Sequence, residues 1–473
     1  MSETKFKPVL GLWDATMVVA GSMIGSGIFI VSADVVRNVG SAGWLIGVWV
    51  ITGFMTIIAA VSYGELSGMY PKAGGQYVYL KEAYNPLMGF LYGWSFFAVI
   101  QTATIAAVGV AFARFSAYIF PWMSESNTII DFAFIDISAA QISAILLIIF
   151  LTYVNTRGIK EGKIIQTSFT VSKLLALFGL MLFGFLFVKE SFWAENWQTG
   201  FNAMRDLGVD GLGKQATGWE TIGGVTLLGA IAASMTGSIF SSDAWNNVTF
   251  IAGEIKNPQR NIGLSLFLGT LIVTVLYIAT NLMYLNVLPI QGIAFPQSDR
   301  LAVSAANQIF SNPGMQLIAV LIMISTFGCN NGLILAGARV YYTMAKDKLF
   351  FRQAGELNKN AVPQWALWAQ CVVASALCLS GEYGNLLDMI SFVVVIFYSL
   401  TIAGIFILRK KSPDLPRPYK AFGYPVLPLI YILMGATFCT LLIIYKPQFT
   451  WPGLIITLIG IPIYYVVVRN RKV

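Results

Sequence analysis

Gly21-Ser22-Met23-Ile24-Gly25-Ser26-Gly27-Ile28-Phe29 interrupts the first long apolar stretch at its middle, where a lipid-facing helix would carry Leu, Ile and Val. Each Gly costs a helix interior roughly 0.8–1 kcal/mol relative to Ala, so three of them within seven positions favour unwinding and expose amides and carbonyls. Such backbone survives at membrane depth only where protein buries it or where it lines a polar cavity. A second interruption, Phe240-Ser241-Ser242-Asp243-Ala244-Trp245, cuts another apolar stretch about half a chain later. Paired interruptions in two halves of a chain point to a substrate site near the bilayer midplane.

The composition places both interruptions in a polytopic membrane protein. Hydrophobic residues fill 57% of the 473 positions and charged ones 11%, against about 25% charged in a soluble domain. The hydropathy pattern predicts an all-α fold of twelve transmembrane segments, near 10–37, 42–70, 85–119, 133–155, 162–189, 219–253, 260–288, 314–346, 364–380, 384–409, 424–445 and 448–468. Met1 to Pro8 is polar and basic without a signal-peptide core, so the first segment is expected to stay in the mature protein. Twenty-two of the thirty Lys and Arg fall on the side of the two termini. Seven (Arg37, Arg114, Lys189, Arg205, Lys214, Arg300 and Lys446) fall on the other, and Lys173 lies inside the fifth segment. That asymmetry predicts cytoplasmic termini, and it accounts for the net charge of +8 as a topology determinant rather than a nucleic-acid footprint.

Several classes are disfavoured. There is no His, the four Cys (Cys329, Cys371, Cys378 and Cys439) stand apart in apolar stretches, and no phosphate loop occurs. Neither a metal site, a cofactor nor ATP-driven pumping is expected. A membrane sensor would want a soluble output domain, and an intramembrane enzyme a nucleophile with its base. The longest polar stretch, Lys189 to Glu220, reads as an external loop. Segments one to five and six to ten each open on a broken helix and each count five, so the second set enters from the opposite side, as inverted repeats do. The expected organisation is 1–190 for the first repeat, 191–410 for the external loop and second repeat, and 411–473 for two further segments and the tail.

The first interruption resembles the first-helix signature of the amino acid, polyamine and organocation (APC) transporter superfamily. Three further stretches match colinearly: Tyr63-Gly64-Glu65-Leu66 with Tyr70-Pro71-Lys72-Ala73-Gly74-Gly75-Gln76-Tyr77; Gly253-Glu254-Ile255-Lys256-Asn257-Pro258-Gln259-Arg260-Asn261; and Asn331-Gly332 with Ala336-Gly337-Ala338-Arg339-Val340. Phe240, Asp243 and Trp245 look most like the L-type amino acid transporters and their bacterial serine/threonine and alanine/serine/cysteine exchangers. The resemblance implies a LeuT-type fold of five plus five inverted helices, with sodium-independent antiport or uptake of amino acids; neutral L-amino acids are favoured because no acidic residue other than Asp243 is near the expected pocket. A carrier of cationic amino acids or amines on the same fold is the alternative, favoured if Asp243 faces the pocket.

Helix-end physics gives the site a rationale. A half-helix starting near Gly27 directs its amides at the gap, so Gly25, Ser26 and Gly27 suit an α-carboxylate. By resemblance, the carbonyls of Met23, Ile24, Phe240, Ser241 and Asp243 receive the α-ammonium, and Phe240 is the aromatic gate. Simpler readings stand beside these. Gly21 and Gly25 form a GxxxG packing pair, Phe240 is also ordinary apolar filling, and Asp243 is placed to cap a half-helix. The family more often has Gly at the position of Ala244, and Gly253 and Gly263 replace a typical Glu and Pro.

Lys173 is about eleven residues from either end of its segment, too far to snorkel, and needs an acceptor-rich pocket. By resemblance it stands where sodium-coupled relatives hold a cation, as a tethered substitute; a static pin between segments five and one and a proton-linked switch both remain open. Glu65 and Asp388 read as partners within the bundle or at its rim, and Asn330 as a residue that makes the side-chain pocket more polar. Residues 114–136 lack the Cys that links animal relatives to a heavy subunit. The expectation is therefore a subunit that works alone in a prokaryotic inner membrane.

Overall fold

A computed structural model describes residues 8–468 except 133–134, 158–159, 209–217, 297–299, 311 and 381–382. Met1–Lys7, Lys214 and the basic tail after Val468, all used in the charge count, lie outside the described residues. Among the described residues nine helices are long and apolar enough to cross a membrane, including Ala42–Met69, Pro258–Val287 and Leu386–Lys411. Three shorter apolar helices, Leu301–Phe310, Gln364–Leu379 and Thr450–Val466, accompany them. The ninth and twelfth segments correspond to two of these shorter helices. The first is divided into Leu12–Met23, a 3₁₀ turn at Gly27–Phe29, and Ser32–Val39.

Two segment starts differ from the hydropathy reading. The fourth helix begins at Ala139 rather than near 133, because Ser138 caps it: its Oγ accepts from the Gln141 amide and the Gln141 side chain accepts from the Ser138 amide. The residues ahead of the cap form an antiparallel hairpin, Thr128–Phe132 with Ile135–Ser138. The sixth helix begins at Gly224 rather than near 219. Trp219–Thr221 pairs instead with Met204–Asp206, and Gly223-Gly224 separates strand from helix.

Buried side-chain hydrogen bonds gather the helices into two groups. In the first, Thr52 Oγ1 of segment two meets Ser238 Oγ of segment six at 2.6 Å, and Ser32 donates to Asn281 of segment seven at 2.6 Å. In the second, Asn155 of segment four donates to Asn331 of segment eight at 2.7 Å. There, too, Gln101 and Gln370 of segments three and nine donate to the Leu333 and Ile334 carbonyls at 2.6 Å each. Such bonds bind helices where packing alone has no hydrophobic drive.

The remaining sequence motifs close one end of the bundle. Leu10 and Ile255 form a parallel bridge, with the Val9 and Leu10 amides on the Glu254 carbonyl and the Lys256 amide on the Leu10 carbonyl. The Glu254 carboxylate takes Arg339 at 2.7 Å from segment eight, and Asp347 at the end of that helix takes Tyr77 at 2.8 Å and Lys81 at 2.6 Å. Fully buried Glu65 accepts from Arg409 at 2.7 and 3.0 Å and from the Ala421 amide at 2.7 Å, with Arg417 3.6 Å away. At the opposite end of the Tyr383–Lys411 helix from Arg409, Asp388 pairs with Lys446 at 2.9 Å. Both carboxylates are thus partners within the bundle.

Removing one member of a buried ion pair costs about 3–5 kcal/mol where no water replaces it, and Arg409 is partly exposed. Glu65→Ala is therefore expected to cost about 2–3 kcal/mol and to lower the melting temperature in detergent more than Arg409→Ala, because it orphans the Arg409 guanidinium and the Ala421 amide and removes the countercharge beside Arg417. Equal melting of the two variants would show that the carboxylate does not organise this corner.

Candidate functional site between the two broken helices

The first half-helix ends in four carbonyls without intrahelical partners, and three other segments supply donors for all four. Lys173 of segment five, buried to 1% exposure, donates to the Gly21 carbonyl and to that of Ile24 at 2.8 Å. The Cys329 thiol of segment eight reaches the Ser22 carbonyl at 3.6 Å, and the Tyr277 hydroxyl of segment seven reaches that of Met23 at 3.0 Å. A cation suits the negative end of the helix dipole, and unpaired carbonyls at helix ends need such partners.

Tyr277 joins the two interruptions. Its hydroxyl is also 3.0 Å from the Ser241 carbonyl, so one phenol group spans the broken ends of segments one and six. The interruptions also touch directly: a Cβ at Gly27 would overlap the Ser241 side chain and lie 3.0 Å from Ser241 Cα. Glycine is needed there for close approach, whatever is bound nearby.

One cavity lies at this junction. Met23, Gly25, Ser26 and Gly27 line it from the first interruption and Phe240, Ser241 and Asp243 from the sixth, with Thr104, Cys329 and Leu333 opposite. Ile24 is fully buried beside it and contributes its carbonyl to Lys173. The Gly25 amide is occupied, donating to the Met23 carbonyl at 2.9 Å, whereas the half-helix proper starts at Gly27. Carbonyl oxygens carry two lone pairs, so those of Ile24 and Ser241 keep acceptor capacity after their contacts, whereas Met23 uses both, for Tyr277 and for the Gly25 amide.

Asp243 is not the cap of the inner half-helix. That position falls on Asn246, ahead of Asn247–Phe250, and the Asp243 carboxylate instead accepts from the Tyr398 hydroxyl of segment ten. The chain turns after it through Ala244, at φ 62°, a left-handed conformation that costs a non-glycine residue roughly 1 kcal/mol and explains the preference for Gly there. Asn330 does not line the cavity. It donates to the Ile105 carbonyl of segment three at 3.3 Å, while its neighbours one turn apart, Cys329 and Leu333, face the cavity. Sequence reasoning missed Thr104, Tyr277 and Cys329. A signal existed for Cys329, which shares a helix face with Leu333, but none marked Tyr277 among the other membrane tyrosines.

Two discontinuous helices meeting end to end around a polar cavity, inside a bundle of apolar helices, define a membrane carrier with a central site. The chain belongs to the amino acid permease family, whose model matches residues 10–468. It is similar to the human large neutral amino acids transporter small subunit 2, at 27% identity over 97% of this chain and 80% of the relative. Similarity to the serine/threonine exchanger SteT of Bacillus subtilis (strain 168) is 29% identity over 97% and 96%. For the mouse b(0,+)-type amino acid transporter 1 it is 25% over 98% and 88%. The protein is thus an amino-acid transporter of the APC superfamily, embedded in a membrane by its apolar helices.

Two outcomes test this geometry. Lys173→Ala leaves the Gly21 and Ile24 carbonyls unpaired, each at about 1–3 kcal/mol, and is expected to cut transport at least about tenfold, or 1.4 kcal/mol; near-normal flux would remove any essential role for the ammonium. Gly27→Ala is expected to weaken substrate binding by about tenfold or more through its collision with Ser241, and Ser241→Gly in the same chain to restore part of it. Undiminished binding by the single variant in a calorimeter would show that the close approach is dispensable.

Proposed function

We propose that this transporter exchanges or takes up neutral L-amino acids without sodium, by alternating access across the cytoplasmic (inner) membrane. The observation that carries the reading is the Lys173 ammonium seated on the carbonyls of the broken first helix. A tethered cation there leaves no electrostatic need for a mobile one. The substrate zwitterion lies between the interruptions, its carboxylate at the amides of residues 25–27 once Gly25 is released from Met23. Its ammonium meets the carbonyls of Met23, Ile24, Phe240, Ser241 and Asp243. Phe240 covers it as the gate.

In this reading the chain crosses the membrane twelve times, with both termini cytoplasmic. Segments one to five and six to ten are the inverted repeats, within the divisions 1–190, 191–410 and 411–473. The two hydrogen-bonded groups of helices supply the bodies that move against each other, and the latch at Leu10, Glu254 and Arg339 closes the cytoplasmic side. The subunit needs no disulfide-linked partner, since residues 114–136 hold no Cys.

A second reading, transport of cationic amino acids or amines, is favoured by one observation: Asp243 lines the cavity. A carboxylate held by a tyrosine hydroxyl can receive a substrate's terminal amine at the cost of burying both charges.

Purified protein in liposomes loaded with unlabelled amino acids separates these readings. Counterflow of labelled L-serine or L-leucine that is unchanged when choline replaces sodium is expected, with L-lysine a poor competitor. A sodium requirement would remove the tethered-cation reading, and stronger competition by L-lysine than by L-leucine would establish the cationic one.

A further inference from the structure

A second cavity lies between the inner half of segment one, segment six beyond its break, and segment eight. Val18, Ser22, Asn247, Ile251, Asn331 and Arg339 line it, and it shares only Ser22 with the cavity at the junction. Its polar equipment is one-sided. Asn247 is 3% exposed, and its Nδ2 is enclosed without an acceptor, which is costly for a buried amide unless a ligand or water completes it. Asn331 Oδ1 accepts from Asn155 Nδ2, leaving its own Nδ2 to donate. Arg339 is neutralised by Glu254, which accepts two of its N–H groups at 2.9 and 2.7 Å. No carboxylate lines the cavity, so its side chains offer amide donors and no countercharge for an ammonium group.

We propose that this cavity is a second station for the substrate, holding the α-carboxylate at Asn247 Nδ2 on the way between the junction and the face closed by Leu10, Glu254 and Asp347. The proposal rests on the amino-acid transport reading and adds to it a residue that the family motifs do not mark. Ser22 is the step between the two cavities: its carbonyl belongs to the broken end of segment one, and its side of the helix borders both. The junction reads the whole zwitterion, whereas the station reads the carboxylate alone. A substrate leaving through that face therefore keeps a partner for its carboxylate after the half-helix amides release it.

The station predicts a one-sided kinetic effect. Exchange of labelled L-serine and L-leucine is measured in right-side-out and inside-out vesicles from expressing cells. For Asn247→Leu, which keeps the volume and removes the donor, KM is expected to rise about tenfold at the face of Leu10 and Glu254, the loss of one hydrogen bond to a charged group. At the opposite face it should stay within about twofold. Asn247→Asp, which repels a carboxylate, should raise the same KM further, and Asn247→Ser should recover part of it. Leu335 also lines the cavity from segment eight, and Leu335→Trp, which fills it and leaves Asn247 unchanged, should act on the same face if Asn247→Leu fails to reach the membrane. Variants with unchanged KM at both faces, or with equal rises at both, overturn the station while leaving transport itself established. Wild-type vesicles that exchange neither amino acid overturn the transport reading and the station together.

Discussion

The fold depends on how the end of one short helix is satisfied inside a membrane. Leu12–Met23 stops at mid-bundle and leaves the carbonyls of Gly21, Ser22, Met23 and Ile24 facing away from water. In lipid no solvent can take them, and each would cost a few kcal/mol if left alone. Lys173, Cys329 and Tyr277 reach them from three different segments. The break that makes a binding cavity possible therefore also dictates where segments five, seven and eight must stand.

That requirement reconciles two opposed features. An ammonium group in the bilayer interior is expensive, and so is a cluster of bare carbonyls; brought together they satisfy each other, which is why Lys173 tolerates complete burial. The same region keeps acceptor capacity at the Ile24 and Ser241 carbonyls, each of which has a second lone pair. Tyr277 extends the arrangement to the other interruption with a single hydroxyl proton shared between the Met23 and Ser241 carbonyls. A change in the tilt of either half-helix must alter that sharing, so the two breaks are mechanically linked.

The latch motifs work on the same principle at the bundle's end. Glu254 uses its backbone carbonyl for the strand at Val9–Leu10 and its carboxylate for Arg339, so one residue ties the start of the chain to segment eight. Asp347 serves Tyr77 and Lys81 together. These contacts join parts that the buried Asn, Gln and Ser bonds place in different groups of helices, and a carrier that opens on this face has to break them. The Asp347–Lys81 pair is partly exposed, so water can take over when it separates, whereas the Glu254–Arg339 pair is buried and costs more to break.

What was legible in the sequence follows from local rules. Runs of apolar residues must be helices in a membrane, Gly-rich interruptions must be breaks, and a lysine eleven residues from either end of an apolar segment must find acceptors. The colinear motifs from the first interruption to Arg339 carried the family. Contacts that depend on helix rotation and tilt were not legible: Asn330 turned to segment three and left Cys329 and Leu333 at the cavity, Asp243 turned to Tyr398 instead of capping the half-helix, and Tyr277 could not be told from other tyrosines. Paired strands, Thr128–Phe132 with Ile135–Ser138 and Met204–Asp206 with Trp219–Thr221, replaced the helix starts read from hydropathy, because caps and glycines set those ends. By itself the sequence determined that the chain is a mostly helical membrane carrier with two broken helices and a buried cation. Only the tertiary structure decided which carbonyl meets which donor, because that pairing is set by the packing of helices far apart in sequence.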